Sequence, residues 1–240
     1  MCTLTYLPLS DDSFVMTHNR DEDPARNTSG LHREQIQGQL VVFPRDVAGG
    51  TWVAMSDRQR LAFVLNGAYE RHERTPPYRL SRGRMLLDYY QYGSSFDFAD
   101  HYQFAGIEPF TLVIKEPDGL TDIRWDGTVL RCRDLNQYQP HIWSSPTLYD
   151  AHMRRERAEW FDAWYTESAH SRDSILDFHQ HGGDPSVYHR LVMNYQDRVR
   201  TVSVTSVACN AREGSMRYLN LLTNEEVEDQ IDLTTDTSDD

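Results

Sequence analysis

Two short runs decide the fold: Cys2–Pro8, CTLTYLP, and residues 14–20, FVMTHNR. Both are rich in β-branched and aromatic residues and read as strands joined by the polar turn Leu9-Ser10-Asp11-Asp12. If Pro8 faces Ser13, antiparallel pairing sets Cys2 opposite Asn19, with directly opposed side chains about 5 Å apart. Asn19, Arg20 and Asp21 then gather around Cys2 by register alone, and a slip of one residue changes which of them points at it.

Outward from this hairpin, residues 22–40 read as a polar loop, with a strand near 40–43. Gly49-Gly50 is a turn before a strand at 51–55, and a further strand at 61–65 ends at Asn66-Gly67. Past Pro76-Pro77, Leu80, Arg84, Leu87 and Tyr90 recur at helical intervals and predict a helix over 78–90, with a short one at 96–102. Strands follow at 110–115, 120–125, 129–133 and 141–143. Helices at 150–166 and 171–180 precede a final strand pair, 198–209 and 216–222. In the first of these helices Arg154, Arg155 and Arg157, set among Glu156 and Glu159, read as a solvated face. Runs of strands alternating with runs of helices give an α+β layered fold rather than a βαβ array. One domain over 1–222 is expected, followed by an acidic, disordered tail over 223–240.

The chain has 240 residues, 39% hydrophobic, and a net charge of −13. That acidity argues against a nucleic-acid partner, because phosphate binding needs a basic patch. Eight carboxylates between Glu225 and Asp240, with no base among them, suit a solvated end. No apolar run is long enough for a membrane span, and the first residues do not form a secretory signal, so a cytoplasmic protein is expected. Three cysteines without a CxxC pair read as free thiols, with Cys132 and Cys209 buried in alternating stretches. His179 and His181 point to different helix faces and no third ligand is placed, so neither metal nor cofactor is expected. His18 reads as a packing or hydrogen-bonding residue.

Cys2 stands apart by position. An aminopeptidase is expected to remove Met1 before so small a residue, leaving a thiol beside its own α-amine, a nucleophile with a base titrating near pH 8. Structural readings stay open: Cys2 can simply begin a strand, Arg20 and Asp21 can be an ion pair fixing the hairpin, and Asn66-Gly67 is also a turn signal. Trp52 reads as core or pocket wall.

Four landmarks occur in order: Met1-Cys2-Thr3, Asn19-Arg20-Asp21-Glu22, Gly49-Gly50-Thr51-Trp52 and Ser81-Arg82-Gly83. They resemble the NRDE family, that of the transport and Golgi organisation proteins, and the weaker resemblance runs to about residue 222. The opening is also similar to N-terminal-nucleophile hydrolases of the bile-salt hydrolase and penicillin V acylase type. The resemblance implies a four-layer αββα sandwich and a hydrolase of linear amides or related acyl compounds that works through an acyl-enzyme. In that reading Cys2 is the nucleophile and Arg20 favours its thiolate. Asp21 orients the amine or thiol, and Asn66 donates to the oxyanion. Asn19, Trp52 and Arg200 would bind substrate, as would Ser145, which stands where those hydrolases carry a second asparagine. The partner is then a small acyl or amide substrate. The alternative is a non-catalytic protein of the same fold that handles haem or acyl-coenzyme A lipids.

Overall fold

The computed structural model describes residues 2–9, 13–26 and 28–233. Its strands begin with β1 (Cys2–Pro8), β2 (Phe14–Glu22), β3 (Thr28–Ile36), β4 (Gln39–Asp46), β5 (Val53–Ser56) and β6 (Leu61–Asn66). Two short helices follow, α1 (Arg82–Asp88) and α2 (Ser95–His101), then β7 (Phe110–Glu116), β8 (Gly119–Trp125), β9 (Leu130–Leu135) and β10 (His141–Ser144). Helices α3 (Ala151–Glu167) and α4 (Arg172–His181) lead to β11 (Asn194–Tyr195), β12 (Val199–Cys209), β13 (Glu213–Asn220) and β14 (Glu225–Asp232).

The strands form two sheets. One runs β10-β1-β2-β12-β13-β14, with β11 paired to β12; the other is a meander from β3 to β9 in chain order. β1 and β2 are buried on both faces because they sit mid-sheet between two layers. One face of the hairpin contributes Leu4, Tyr6, Phe14 and Met16 to the core shared with the second sheet, and the other sends Leu7 and Val15 against Phe161 and Phe178 of α3 and α4. Period-two alternation thus feeds two cores from one strand. The expected α+β sandwich is the observed fold.

Four readings of the sequence change. The hairpin register is Pro8 to Phe14 and Cys2 to Arg20, one residue from expectation, because the connection closes with Leu9 N–H donating to the Ser13 carbonyl at 2.8 Å. The presumed loop at 22–40 contains β3, a sheet-edge strand with too few apolar residues to show an alternating pattern. The helix expected over 78–90 is shorter: α1 starts at the Ser81 cap, whose hydroxyl accepts from Arg84 N–H, and gives way to a 3-10 turn at Tyr89–Gln91. Residues 225–232 of the expected acidic tail form β14 against β13, while 234–240 lie outside the described residues. Among the described residues, no helix is long and apolar enough to cross a membrane.

Candidate active site around Cys2

Opposed residues of an antiparallel pair share a face, so Cys2 and Arg20 point together into the space between the sheets. Both are buried. The Cys2 carbonyl accepts from Ser145 N–H at 2.9 Å, which fixes the start of β1 to the residue just past β10. Arg20 lies over the Trp52 ring, 4.2 Å from its centroid, and its guanidinium pairs with Asp46 at the end of β4. A second bond runs from Arg20 Nη1 to the Arg26 carbonyl at 3.0 Å. Asp46 is itself organised by the glycine turn: it accepts from Ala48 N–H at 2.8 Å, and its own N–H donates to the Gly50 carbonyl at 2.9 Å. The Gly49-Gly50 signal therefore builds the carboxylate that holds Arg20, a partner the sequence reading did not include.

Gly50 and Gly83 are small for a related reason. A Cβ on Gly83 would lie 2.6 Å from the Thr51 carbonyl oxygen, so only glycine lets the start of α1 touch the turn. That contact brings Arg82 to the cavity that contains Cys2, Arg20, Trp52 and Asn66, a space of about 380 Å³. Asn66 ends β6, and its carbonyl accepts from the Ser145 hydroxyl at 2.5 Å, which leaves the side chain at the cavity wall. Gly67 follows at φ +82°, and a Cβ there would meet Thr147 at 2.8 Å.

Asn19 and Asp21 lie on the other face of β2, toward the helices. Asn19 Nδ2 donates to the His179 carbonyl at 2.9 Å and the Leu191 carbonyl at 2.8 Å, while its Oδ1 meets His179 Nδ1 at 2.7 Å. Since Oδ1 only accepts, Nδ1 carries the proton and Nε2 accepts from the Thr5 hydroxyl at 2.8 Å. The expectation that Asn19 touches substrate is corrected: it opposes Thr3 and straps α4 to the sheet. Asp21 accepts from the Tyr149 hydroxyl at 2.6 Å and the Thr201 hydroxyl at 2.7 Å. Arg157, read from sequence as solvated, is fully buried beside this group. It lies 3.7 Å from the Tyr149 ring centroid, pairs with Thr3 Oγ1, and donates to the His189 and Arg190 carbonyls at 2.9 and 2.7 Å. Long snorkelling stems and fixed forks make arginine suited to such a place, which helical spacing alone does not reveal.

Three further expectations are corrected. The Ser145 hydroxyl is turned to the Asn66 carbonyl and to Thr147 Oγ1 rather than to the cavity. Arg200 sits opposite Glu22 and Asn194 in the strand register and does not line the cavity. Cys132, expected to be buried, is exposed because β9 is the edge of its sheet; Cys209 is buried. Electrostatics also bear on Cys2. Burial pushes its thiol above the ordinary value and the Asp21 charge adds to this, against the lowering field of Arg20. The neutral thiol is therefore the resting form, and a base is needed to make it a nucleophile.

The double sheet with helices outside is shared with solved N-terminal-nucleophile hydrolases. Two variants of conjugated bile acid hydrolase from Clostridium perfringens are similar at TM-score 0.63 with 13% and 11% identity, covering 97% and 99% of this chain and 92% and 100% of theirs. Penicillin V acylase from Agrobacterium tumefaciens is similar at TM-score 0.57 with 12% identity, covering 98% of this chain and 87% of its own. The chain has the N-terminal-nucleophile hydrolase fold. The Transport and Golgi organisation 2 family profile matches residues 1–139, and the chain belongs to that family. The matched segment holds Cys2, Arg20, Asp21, Trp52 and Asn66 and stops short of Ser145 and Arg200. No curated protein matches the sequence.

Proposed function

We propose that this protein is a cysteine hydrolase of linear amides or related acyl compounds, acting in the cytoplasm with Cys2 as the mature N-terminal residue. The observation that carries the reading is the convergence of the Cys2 side chain, Arg20 and Asn66 on one cavity. Met1 lies outside the described residues, so its removal is part of the proposal. The freed α-amine takes the thiol proton, and the sulfur attacks the substrate carbonyl carbon. The Asn66 side-chain amide donates to the resulting oxyanion, an interaction worth about 3–4 kcal/mol in comparable sites. The C–N bond then breaks, the leaving amine takes the proton from the ammonium, and an acyl thioester remains. Water, deprotonated by the same amine, adds to that thioester; the C–S bond breaks and the acid leaves.

Arg20 steadies the thiolate and the incoming substrate, with Asp46 fixing its fork. Asp21, on the far face of the same strand, orients the amine through a set of hydroxyl bonds that keeps its carboxylate in place. Unpaired thiols suit a reducing compartment. Intact mass with brief iodoacetamide labelling tests the first step: loss of Met1 and selective adduct at Cys2 over the exposed Cys132 is expected. Hydrolysis of an acyl-amide panel that survives Cys2→Ala unchanged would sink the reading.

One observation favours a second reading. With the Ser145 hydroxyl committed to Asn66, side-chain donors to an oxyanion are fewer than the family resemblance implies. That suits a non-catalytic carrier of haem or acyl-coenzyme A lipids. Melting shifts with those ligands that are as large in Cys2→Ala as in the wild type, with no turnover, would select it.

A further inference from the structure

The cavity at Cys2 shares Glu22, Arg26, Asn66, Arg74, Arg82 and Glu108 with an adjoining space of about 720 Å³ that opens outward. The charges on this shared wall do not cancel. Arg26 is matched by Glu22 at 2.8 Å and by Asp46 at 3.0 Å. Glu108, by contrast, serves two guanidiniums alone: Arg82 Nη2 at 3.1 Å on one oxygen, and Arg74 Nε at 3.3 Å on the other. His72 Nε2 shares that second oxygen at 3.1 Å. Two permanent cations on one carboxylate leave one positive charge in excess, in a chain whose net charge is −13.

The two arginines differ in exposure. Arg82 is mostly buried, anchored by Nη1 to the Pro109 carbonyl at 3.1 Å and placed by the glycine contact at the start of α1. Arg74 stands at the mouth with 73% of its side chain exposed, free to turn toward a ligand. An anchored guanidinium within the cleft and an exposed one at its rim form a two-sided clamp for an anion. The single excess charge matches a carboxylate better than a doubly charged phosphate.

We infer that Arg82 and Arg74 select acyl substrates that carry a free carboxylate near the scissile bond, with Glu108 holding the clamp closed when no substrate is bound. This rests on the hydrolase reading for the word substrate, but the site itself is defined by binding. Glu108 competes with the incoming carboxylate for both guanidiniums and so sets the affinity. Arg82 and Arg74 are specificity residues, acting on the part of the molecule that does not react.

Calorimetry on the full chain carrying Cys2→Ala tests this without turnover. The probes are N-hexanoylglycine against N-hexanoylglycinamide, and N-hexylsuccinamate against N-hexylsuccinamide, so that the carboxylate is offered on either side of the amide. At least one acid is expected to bind about tenfold more tightly than its uncharged partner, the worth of one charge-assisted bidentate contact. Arg74→Ala, an exposed change that leaves the fold alone, and Arg82→Gln are each expected to shrink that preference about threefold or more while sparing the carboxamide. Glu108→Gln is expected to tighten acid binding. Equal affinities within both pairs, no binding by any probe, or a preference untouched by the two arginine changes would overturn the inference. Acid-selective binding in a protein that hydrolyses no amide would instead remove the hydrolase reading and leave the clamp standing.

Discussion

Replacing Arg157 by Met removes a buried cation from the middle of the helix-facing layer, and the loss can be worked from its contacts. The guanidinium donates to the His189 carbonyl at 2.9 Å and the Arg190 carbonyl at 2.7 Å, and it pairs with Thr3 on β1. It also stacks 3.7 Å from the Tyr149 ring centroid. Methionine fills much of the volume but leaves the buried His189 carbonyl and the part-buried Arg190 carbonyl without this donor, and it strips Asp21 of the cation that most opposes its desolvation. Breaking a buried charged contact from one side costs about 3–5 kcal/mol. For a chain of this size that is a melting drop of about 6–20 °C. Urea unfolding at pH 7 gives the free energy directly, and a double-mutant cycle with Asp21→Asn separates the electrostatic share. If Asp21 is the coupled partner, the Arg157→Met loss is smaller by about 1–2 kcal/mol once Asp21 is neutral. A loss under about 1 kcal/mol for Arg157→Met, or strict additivity with Asp21→Asn, would refute the account of this layer.

Two other predictions concern the backbone at the site and the strap beneath it. Gly67→Ala combines a φ of +82° with a Cβ 2.8 Å from Thr147, so it is expected to cost about 1–3 kcal/mol in urea unfolding and to lower activity by displacing Asn66. His179 is held neutral by burial and by the Arg157 charge, which lower it from 6.5 to about 3. Its unfolded form takes up a proton first as pH falls, so it contributes stability that is present above about 6.5 and is lost progressively toward about 3. Between pH 7 and pH 4.5 the wild type should lose about 3 kcal/mol more than His179→Gln, and equal losses would show that the ring is not the acid-sensitive group.

The chemistry was more legible than the geometry. The CTLTYLP and FVMTHNR runs mark a hairpin with a thiol at its start, because strand composition and turn composition are local signals. The register was off by one because it depends on how the turn closes, here through Leu9 and Ser13, and composition does not report that bond. That one residue moved Asn19 from the cleft to the helix layer and put Arg20 beside Cys2. Two of the four edge strands are hidden for another reason: β3 and β14 carry polar side chains on faces that meet water, so they lack the pattern that marks a strand. Arg157 was invisible for a different reason. Its three acceptors lie at Thr3, His189 and Arg190, distant in sequence, and only the fold brings them to one guanidinium. Asp46 escaped notice likewise, although the Gly49-Gly50 turn that builds it was plain.

The last strand of the first sheet has a bearing on how copies of this protein meet. Five of the eight residues of β14 are carboxylates, and the strand forms an edge of its sheet. An unpaired edge is a template for a strand from another molecule. Pairing two copies along this edge would set like charges about 5 Å apart across the junction. Within one molecule three of the five are already matched, Asp229 by Arg33, Glu228 by Arg172 and Glu226 by Arg217, and Arg33 also donates to the Gln230 carbonyl at 2.9 Å, so the edge is guarded by ion pairs as well as by like charge. As acid neutralises those side chains both guards fade, and the same edge becomes the place where aggregation would begin.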